Sequence, residues 1–207
     1  MLNIVLFIVI AYLIGSFPSA LVIGKLFYNG TDIREHGSGN LGGSNAWRVF
    51  GKKGGIMVYI LDMLKGGIAV LIAMHLQSNI HPLIIAIFAL IGHIYPIFAG
   101  FKGGKAVASS AGIILFYTPI SFLLIAVVFF GTLAIWKTIS ISSVVTSTVM
   151  FLIVLVNPLN NYNLTGTVPL VIFGLFTLLI VIKHIPNYKR IINGTEPKIG
   201  QKKNSTE

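Results

Sequence analysis

Residues 119–136 read PISFLLIAVVFFGTLAIW, a run in which no side chain carries a charge. A helix of about 20 mainly apolar residues crosses the hydrocarbon core of a bilayer. Comparable runs occur at 2–24, 54–76, 80–100, 139–157 and 166–184. We therefore expect a bundle of membrane-spanning helices.

The composition of the whole chain agrees with this interpretation. Of the 207 residues, 55% are hydrophobic and only 10% are charged, and the mean hydropathy is +0.90. Soluble domains carry about 25% charged residues, so most of this surface is suited to something other than water. We expect one membrane domain over residues 1–207. Cysteine is absent, which excludes disulfides and thiolate metal sites.

Two segments leave the number of spans open. The segment 106–118 is short, so it is either a partial or tilted seventh span or a re-entrant segment that leaves six; Pro119 marks the turn after it. The first run could be mistaken for a signal peptide. Because it lacks a basic start and continues to Gly24, we interpret it as a retained first span.

The basic residues indicate the orientation. The net charge is +10, from 15 Lys and Arg against 5 Asp and Glu. With seven spans and the N-terminus outside, the inner segments are 25–53, 101–105, the turn near Lys137, and a cytoplasmic tail at 185–207, and they hold nearly every Lys and Arg. The outer loops hold none (near 77–79, 118–119 and 158–165). The sequence thus predicts an all-α integral membrane protein with about seven transmembrane helices, an outside N-terminus and a cytoplasmic C-terminus. The excess charge then reflects this retention and attraction to anionic lipids or substrates, and not nucleic acid.

A first polar cluster covers residues 37–48, GSGNLGGSNAWR. Its glycines, Gly39 among them, allow the backbone to approach a ligand closely. Ser38, Asn40 and Asn45 supply neutral hydrogen-bonding groups, and Arg48 supplies a planar fork suited to phosphate. A solvated flexible loop is the alternative, but the density of donors favours an oxyanion or phosphate site.

A second cluster covers residues 92–107, GHIYPIFAGFKGGKAV. Here Lys102, Gly103, Gly104 and Lys105 lead directly into an apolar segment. Successive backbone N–H groups at a helix start, flanked by two ammonium groups, predict an anion-binding nest. The two lysines would equally satisfy the positive-inside rule without binding any ligand. The Walker A pattern is not matched.

A third cluster, KHIPNYKR at 183–190, ends the last span and is followed by Gly-Thr-Glu. His184 and Asn187 are spaced i, i+3, so they share a side if the helix continues past Pro186. A basic end to a final span is also ordinary anchoring. Within the membrane, Asp62 and Lys65 have the same spacing and predict either a structural ion pair or a functional one. The scattered histidines and few acidic residues predict no metal site.

The placement of these clusters separates three classes of function. A transporter is expected to carry polar residues and broken helices near the bilayer midplane, often in two related halves. A structural membrane protein needs no converging polar clusters. All three clusters here fall on the predicted inner side, which favours an enzyme that takes a soluble anion from the cytosol and an apolar substrate from the bilayer. A small transporter or channel for a phosphorylated metabolite remains the alternative.

In their order and spacing, the three clusters resemble the cytoplasmic motifs of the bacterial acyl-phosphate:glycerol-3-phosphate acyltransferase family. The first resembles G-S-G-N-x-G-A-T-N-x-x-R, with Gly43 and Ser44 where Ala-Thr is usual. In the other two, Ser109 stands for Thr and Lys183 for Arg. The resemblance covers essentially the whole chain. It implies transfer of a fatty acyl group from acyl phosphate to the sn-1 hydroxyl of glycerol 3-phosphate, giving lysophosphatidic acid and phosphate, in a bacterial plasma membrane and with no cofactor.

The resemblance also implies roles for individual residues. Ser38 and Arg48 would be essential, the glycines around Lys102 and Lys105 would cradle a phosphate, and Glu196 would be structural. The catalytic group is expected to comprise Ser38, Arg48, His184 and Asn187. The substrate-binding group is expected to comprise Gly39, Asn40, Asn45, Lys102, Gly103, Gly104 and Lys105. We expect direct attack of the glycerol hydroxyl on the acyl carbon, with His184 or a substrate phosphate oxygen as base; an acyl-Ser38 intermediate is the less favoured route.

Overall fold

The computed structural model describes residues 2–75, 80–156 and 166–199, and within these ranges the regular structure is entirely helical. The helices are α1 (Leu2–Gly15), α2 (Ser19–Phe27), α3 (Gly43–His75), α4 (Pro82–Ile94), α5 (Val107–Tyr117), α6 (Pro119–Trp136), α7 (Ile139–Val156), α8 (Thr167–Lys183) and α9 (Ile185–Ile192). Single 3-10 turns lie at Ile33–Glu35 and Ile97–Ala99. The predicted outer loops near 77–79 and 158–165, and residues 200–207 of the predicted tail, lie outside the described residues.

Every predicted span contains a helix, but the lengths of the helices differ. Four segments are long and apolar enough to cross a bilayer, namely Gly43–His75, Pro82–Ala99, Pro119–Trp136 and Ile139–Val156. Two bent pairs, α1 with α2 (42°) and α8 with α9 (47°), raise the number to six if each pair forms one span. Helix α5 has 11 residues, or about 16 Å at the usual rise per residue. It is therefore shorter than a hydrocarbon core of about 30 Å, and the total of seven spans stays a prediction.

Helix α3 folds back on itself at Gly51, whose φ of 73° and ψ of −173° are not helical. Glycine reaches a positive φ without the steric cost that a Cβ imposes. A Cβ built on Gly43 would lie 2.7 Å from the ring of Tyr59, and one built on Gly55 would lie 2.7 Å from the backbone of Trp47. In a straight helix these pairs would be far apart. The fold-back thus brings the first polar cluster beside the middle of α3.

Glycines allow α3 and α5, the most extensively packed helix pair, to approach closely. A Cβ on Gly66 would lie 2.1 Å from the carbonyl oxygen of Ser109, and a Cβ on Gly112 would lie 1.9 Å from that of Met63. Small residues at such crossings are typical of helix packing in membranes, where association depends on close van der Waals contact. This contact holds the start of α5 against α3. The second polar cluster leads directly into this part of α5.

The outward faces of the bundle are apolar. Only 11% of the α6 window is buried within the protein, and Val127 and Ile135 are 73% and 71% exposed. A surface of this kind is suited to lipid chains, because in water it would be one large unfavourable apolar patch.

The segment after α8 differs from the expected tail. Residues 185–192 form α9, and the backbone N–H groups of Thr195 and Glu196 then donate to the carbonyl of Arg190 at 2.8 and 3.1 Å. The N–H of Ile199 donates to the carbonyl of Lys137 in the α6–α7 turn at 2.7 Å. Backbone hydrogen bonds therefore hold the described part of this segment against the end of the bundle, which places Glu196 in a buried position.

Candidate active site

The ends of several helices meet around one cleft. Its wall is formed by the first polar cluster, the start of α5, the start of α7 and the junction of α8 with α9. The polar side chains that line it come from regions far apart in the sequence: Ser38, Asn40, Ser44, Asn45, Arg48, Tyr59, Asp62, His93, Lys105, Ser140, Ser143, His184, Asn187, Arg190 and Glu196. The three clusters predicted to converge are thus brought together at one end of the bundle.

Asn45 holds the loop of the first cluster. Its side-chain amide is buried and donates to the carbonyls of Ile33 (3.3 Å) and His36 (3.0 Å), while its Oδ1 accepts from the N–H of Ser38 (2.9 Å). The loop turns at Gly37, where φ is +63°, and a Cβ there would lie 2.3 Å from that same Oδ1. Although Asn45 lines the cleft, its polar atoms are engaged with backbone groups, so it positions Ser38.

Asn40 links the first cluster to the second. Its Nδ2 donates to the carbonyl of Gly103 at 3.4 Å, and its Oδ1 accepts from the N–H of Gly42 at 2.9 Å. Gly39 adopts a φ of +68° and backs onto the carbonyl of Arg34, away from the residues that line the cleft. The predicted binding loop is therefore a fixed structure that presents Ser38 and Arg48, both exposed, at the mouth of the cleft.

The glycines of the second cluster serve packing. The N–H of Gly103 donates to the carbonyl of Ile94 (3.2 Å) and that of Gly104 to the carbonyl of His93 (3.0 Å). A Cβ on Gly104 would lie 2.0 Å from Nε2 of His93. Because both N–H groups are occupied by carbonyls at the end of α4, the predicted nest is not formed at these two residues. Lys102 is exposed and does not line the cleft.

The residues that follow the predicted nest form the start of α5. Ala106 adopts a left-handed φ of 61°, and α5 then begins at Val107 without a side-chain cap. Ala106, Val107 and Ala108 all line the cleft. The first N–H groups of a helix have no partner within it and carry the positive end of the helix dipole. The start of α5 is therefore suited to an anion in the cleft.

Lys105 stands immediately before this helix start and points across the cleft. Its Nζ donates to Oδ1 of Asn187. Burial, together with the neighbouring cations Arg190 and Arg48, lowers the pKa of Lys105 to about 8, although Glu196 opposes this shift. An anion that binds here would restore the ammonium form, because it supplies the missing negative charge.

Glu196 holds two side chains of the third cluster in position through hydrogen bonds. Its Oε1 accepts from Nδ2 of Asn187 (2.6 Å) and from the hydroxyl of Ser140 (2.9 Å), while Oε2 accepts from Nε of Arg190 (2.7 Å). Burial alone would raise the pKa of Glu196, but these hydrogen bonds outweigh it and lower the pKa. The carboxylate thus holds Asn187 and Arg190 in position, in line with the structural role that the sequence implied.

His184 lies at the bend between α8 and α9 and is buried at the cleft. Its Nδ1 lies 2.7 Å from the carbonyl oxygen of Ile180. A carbonyl only accepts, so Nδ1 carries the proton and the neutral ring keeps its lone pair on Nε2. This tautomer can accept a proton from a hydroxyl in the cleft. Pro186 does not prevent His184 and Asn187 from facing the same space, because the bend precedes it.

A buried polar network forms the floor of the cleft, and only its ion pair was predicted from the sequence. Asp62 and Lys65 form the predicted ion pair, with Nζ and Oδ1 2.9 Å apart, and the hydroxyl of Ser19 donates to the same Oδ1 at 2.8 Å. His93 lies 3.7 Å from Oδ1 and contacts the hydroxyl of Ser109 at 3.1 Å. That Asp62 and His93 line the cleft was not predicted, since the position of each side chain depends on tertiary packing.

Other residues of the cleft were also missed. Tyr59 bonds to the hydroxyl of Ser44 at 2.8 Å, and Ser140 and Ser143 enter from α7. Arg190 belongs to the third cluster, whose basic residues were left open between a site and ordinary anchoring. For Ser140 and Ser143 the available signal was their i, i+3 spacing, which places them on one face of α7.

Comparison with known proteins finds similar sequences over most of the chain. A sequence model of the family described as Glycerol-3-phosphate acyltransferase matches residues 5–194. The glycerol-3-phosphate acyltransferase of Bacillus subtilis is 46% identical over 198 residues, which cover 95% of this chain and 97% of that protein. Glycerol-3-phosphate acyltransferase 3 of Bacillus anthracis is 48% identical over 194 residues, 93% of each chain.

A solved structure shares the fold. It is the crystal structure of PlsY (YgiH), an integral membrane glycerol 3-phosphate acyltransferase, in its glycerol 3-phosphate form. The two chains superpose with a TM-score of 0.86 and 33% identity, over 96% of each. The lysophosphatidic acid form of the same enzyme matches with a TM-score of 0.83.

Proposed function

Because this chain belongs to the glycerol-3-phosphate acyltransferase family of integral membrane enzymes, we propose that it transfers a fatty acyl group from acyl phosphate to the sn-1 hydroxyl of glycerol 3-phosphate. The products are lysophosphatidic acid and inorganic phosphate. The acyl-phosphate donor and the position of acylation are the specific parts of this proposal.

The observation that carries the proposal is the grouping of three cations around one cleft. Arg48, Lys105 and Arg190 line it together with the uncapped start of α5. Both proposed substrates carry a phosphate, so two anions have to be held close together. A cleft with several cationic groups and a helix start can offset their mutual repulsion.

The reaction proceeds by direct attack. The C1 hydroxyl oxygen of glycerol 3-phosphate forms a bond to the acyl carbon, and the bond from that carbon to the bridging phosphate oxygen then breaks. The hydroxyl proton passes either to Nε2 of His184 or to a phosphate oxygen of a substrate. Acyl phosphate is a mixed anhydride with a good leaving group, so positioning and charge stabilisation supply most of the acceleration.

Ser38 and Asn187 complete the machinery in this proposal. The Ser38 hydroxyl stands at the mouth of the cleft, where it can donate to the oxyanion or to the departing phosphate. Among the described residues, none with a basic side chain forms a hydrogen bond with the Ser38 hydroxyl, which supports direct transfer over an acyl-serine intermediate. Asn187 orients Lys105 towards the leaving phosphate.

The proposed location is the bacterial plasma membrane, with seven spans, the N-terminus outside and the cleft facing the cytoplasm. The hydrogen bond from Ile199 to the carbonyl of Lys137 supports this arrangement, since it joins two segments predicted to be cytoplasmic. The described starts of α3, α5 and α7 and the end of α8 also meet at the cleft, as expected if the basic segments share one face.

A donor comparison tests the specific parts of the proposal. Purified protein in detergent receives glycerol 3-phosphate with palmitoyl phosphate, palmitoyl-CoA or palmitoyl-acyl carrier protein in parallel, and the position of the acyl group in the product is determined by NMR. We expect turnover with palmitoyl phosphate alone and the acyl group on C1. Faster turnover with the thioesters would contradict the proposed donor, and acylation at C2 would contradict the proposed position.

A further inference from the structure

Asp62 holds a carboxylate at the floor of the cleft that the proposed reaction does not use. Its side chain is 2% exposed. Oδ1 accepts from Lys65 at 2.9 Å and from Ser19 at 2.8 Å. The ammonium group of Lys65 balances the charge of the carboxylate. Because Lys65 and Ser19 together hold Oδ1 in place, the direction of Oδ2 is fixed as well.

The second oxygen, Oδ2, is buried without a hydrogen-bond partner in the described part of the chain. Four buried side-chain polar atoms share this property there, and the other three are hydroxyls of Ser16, Ser110 and Thr146. Asp62 is the one of these four residues that lines the cleft. A buried carboxylate oxygen without a donor is unfavourable by roughly 1–3 kcal/mol or more, so this atom is suited to a donor that arrives with a ligand.

The charge of Asp62 determines which kind of hydrogen-bond donor can bind at the floor of the cleft. A phosphate would be repelled by the carboxylate, whereas Arg48, Lys105 and Arg190 line the same cleft and are all more exposed than Asp62. An elongated ligand with an anion at one end and hydroxyls at the other matches this polarity. Because α3 folds back at Gly51, Arg48 and Asp62 face the same cleft from one helix.

Resting on the proposed function, we propose that Asp62 is a specificity-determining residue whose Oδ2 accepts a hydrogen bond from the C2 hydroxyl of glycerol 3-phosphate. The C1 hydroxyl has to present a lone pair to the acyl carbon and pass its proton to a base. The C2 hydroxyl does not react, yet its burial requires an acceptor. Held by Asp62, the C2 oxygen is kept from the acyl carbon, which directs acylation to C1.

The test compares two acceptors that differ only at C2. The probe is 3-hydroxypropyl phosphate, which keeps the phosphate and the terminal hydroxyl but lacks the C2 hydroxyl. A site built around a substrate hydroxyl discriminates strongly against the analogue that lacks it. We expect wild-type kcat/KM to favour glycerol 3-phosphate by about tenfold or more. Equal use of both acceptors by the wild type would overturn the proposal without any variant.

The variant Asp62→Asn places an amide donor at Oδ2, because Lys65 and Ser19 continue to require the oxygen at Oδ1. We expect the preference for glycerol 3-phosphate over the analogue to fall by about tenfold, the effect of one hydrogen bond to a charged group. Ser19→Ala is the matched control: it removes one contact to Oδ1, the ion pair with Lys65 still holds the carboxylate in place, and the variant should keep the wild-type preference.

The outcomes separate this inference from the proposed function. Equal losses on both acceptors in Asp62→Asn, or the same change in preference in Ser19→Ala, would assign Asp62 a purely structural role and overturn the inference. Wild-type protein that acylates neither acceptor would overturn the proposed function, and the inference would fall with it.

Discussion

Lys105 donates a hydrogen bond from Nζ to the side-chain carbonyl of Asn187, although 82 positions separate the two residues. This contact joins the second cluster to the third. Asn187 in turn donates to Glu196, which also binds Arg190. Glu196 thus positions Arg190 directly and Lys105 through Asn187, and both cations line the cleft. These hydrogen bonds also hold the start of α5 and helix α9 together.

The pKa of Lys105 predicts the pH dependence of substrate capture. Burial lowers this pKa to about 8 in the free protein, so Lys105 is charged below pH 8 and loses its charge above it. We expect kcat/KM for glycerol 3-phosphate to fall as pH rises through about 8, since this parameter reports ionisations of the free enzyme. Lys105→Arg should move the fall to higher pH, because guanidinium stays protonated.

Lys189 offers a matched control for this measurement. It is exposed, lies in α9 and does not line the cleft. Lys189→Arg should leave the profile unchanged. An identical profile for wild type and Lys105→Arg would show that another group controls the pH dependence.

Removal of the Ser38 hydroxyl should affect catalysis and spare stability. We expect Ser38→Ala to lower kcat/KM by at least about 100-fold, the usual effect of deleting one donor to a developing oxyanion. The side chain is exposed, so the thermal midpoint in detergent should match that of wild type. Ser147→Ala serves as control, because that hydroxyl bonds to the carbonyl of Val144 away from the cleft. Full activity of Ser38→Ala would remove Ser38 from the mechanism.

Much of this architecture could be predicted from the sequence. Uninterrupted apolar runs predicted the helices, because each is governed by local composition and length. The number of spans stays a prediction, whereas the bends between α1 and α2 and at His184 were not predictable because they depend on packing. The burial of Glu196 was likewise not predictable, because it depends on contacts with Ser140 in α7 and Asn187 in α9.

The segments that form the site were predicted from the sequence, but the contacts within it were not. Glycine-rich and basic clusters indicated which segments meet, and the structure brings Ser38, Arg48, His184 and Asn187 to one cleft. The packing role of Gly104 was not predictable, since its neighbour His93 is set by tertiary contact.

Glu196 should make stability depend on pH in a defined direction. Its hydrogen bonds lower its pKa below the ordinary value of 4.5. The stabilisation is therefore complete above about pH 4.5 and is lost as pH falls towards the folded-state pKa. We expect Glu196→Gln, which loses the ion pair with Arg190, to unfold at a lower temperature than wild type at pH 7, with the difference shrinking in acid.

Thermal unfolding in detergent between about pH 7 and about pH 2 measures this effect, because the loss lies below the ordinary pKa of the carboxyl. Glu35→Gln is the control, because Glu35 is exposed on a 3-10 turn and its replacement should leave the profile unchanged. A constant difference between Glu196→Gln and wild type across this range would contradict a stabilising role for the ionised carboxylate.

The crossing of α3 with α5 should tolerate no added methyl group. Gly112→Ala places a Cβ 1.9 Å from the carbonyl oxygen of Met63, and we expect a destabilisation of about 1–3 kcal/mol from overpacking. Gly131, in α6, has nothing within 4 Å of an added Cβ. Gly131→Ala should therefore be neutral or slightly stabilising, as is usual for this change in a helix. Equal midpoints for the two variants would show that α3 and α5 do not need this close approach.

The most direct test of the central claim follows phosphate release by purified wild-type protein in detergent, supplied with palmitoyl phosphate and with or without glycerol 3-phosphate. The account predicts phosphate release that depends on glycerol 3-phosphate, with one lysophosphatidic acid formed for each phosphate. Well-folded protein that releases no phosphate with both substrates present, yet moves glycerol 3-phosphate across sealed vesicles without forming a covalent product, would contradict it.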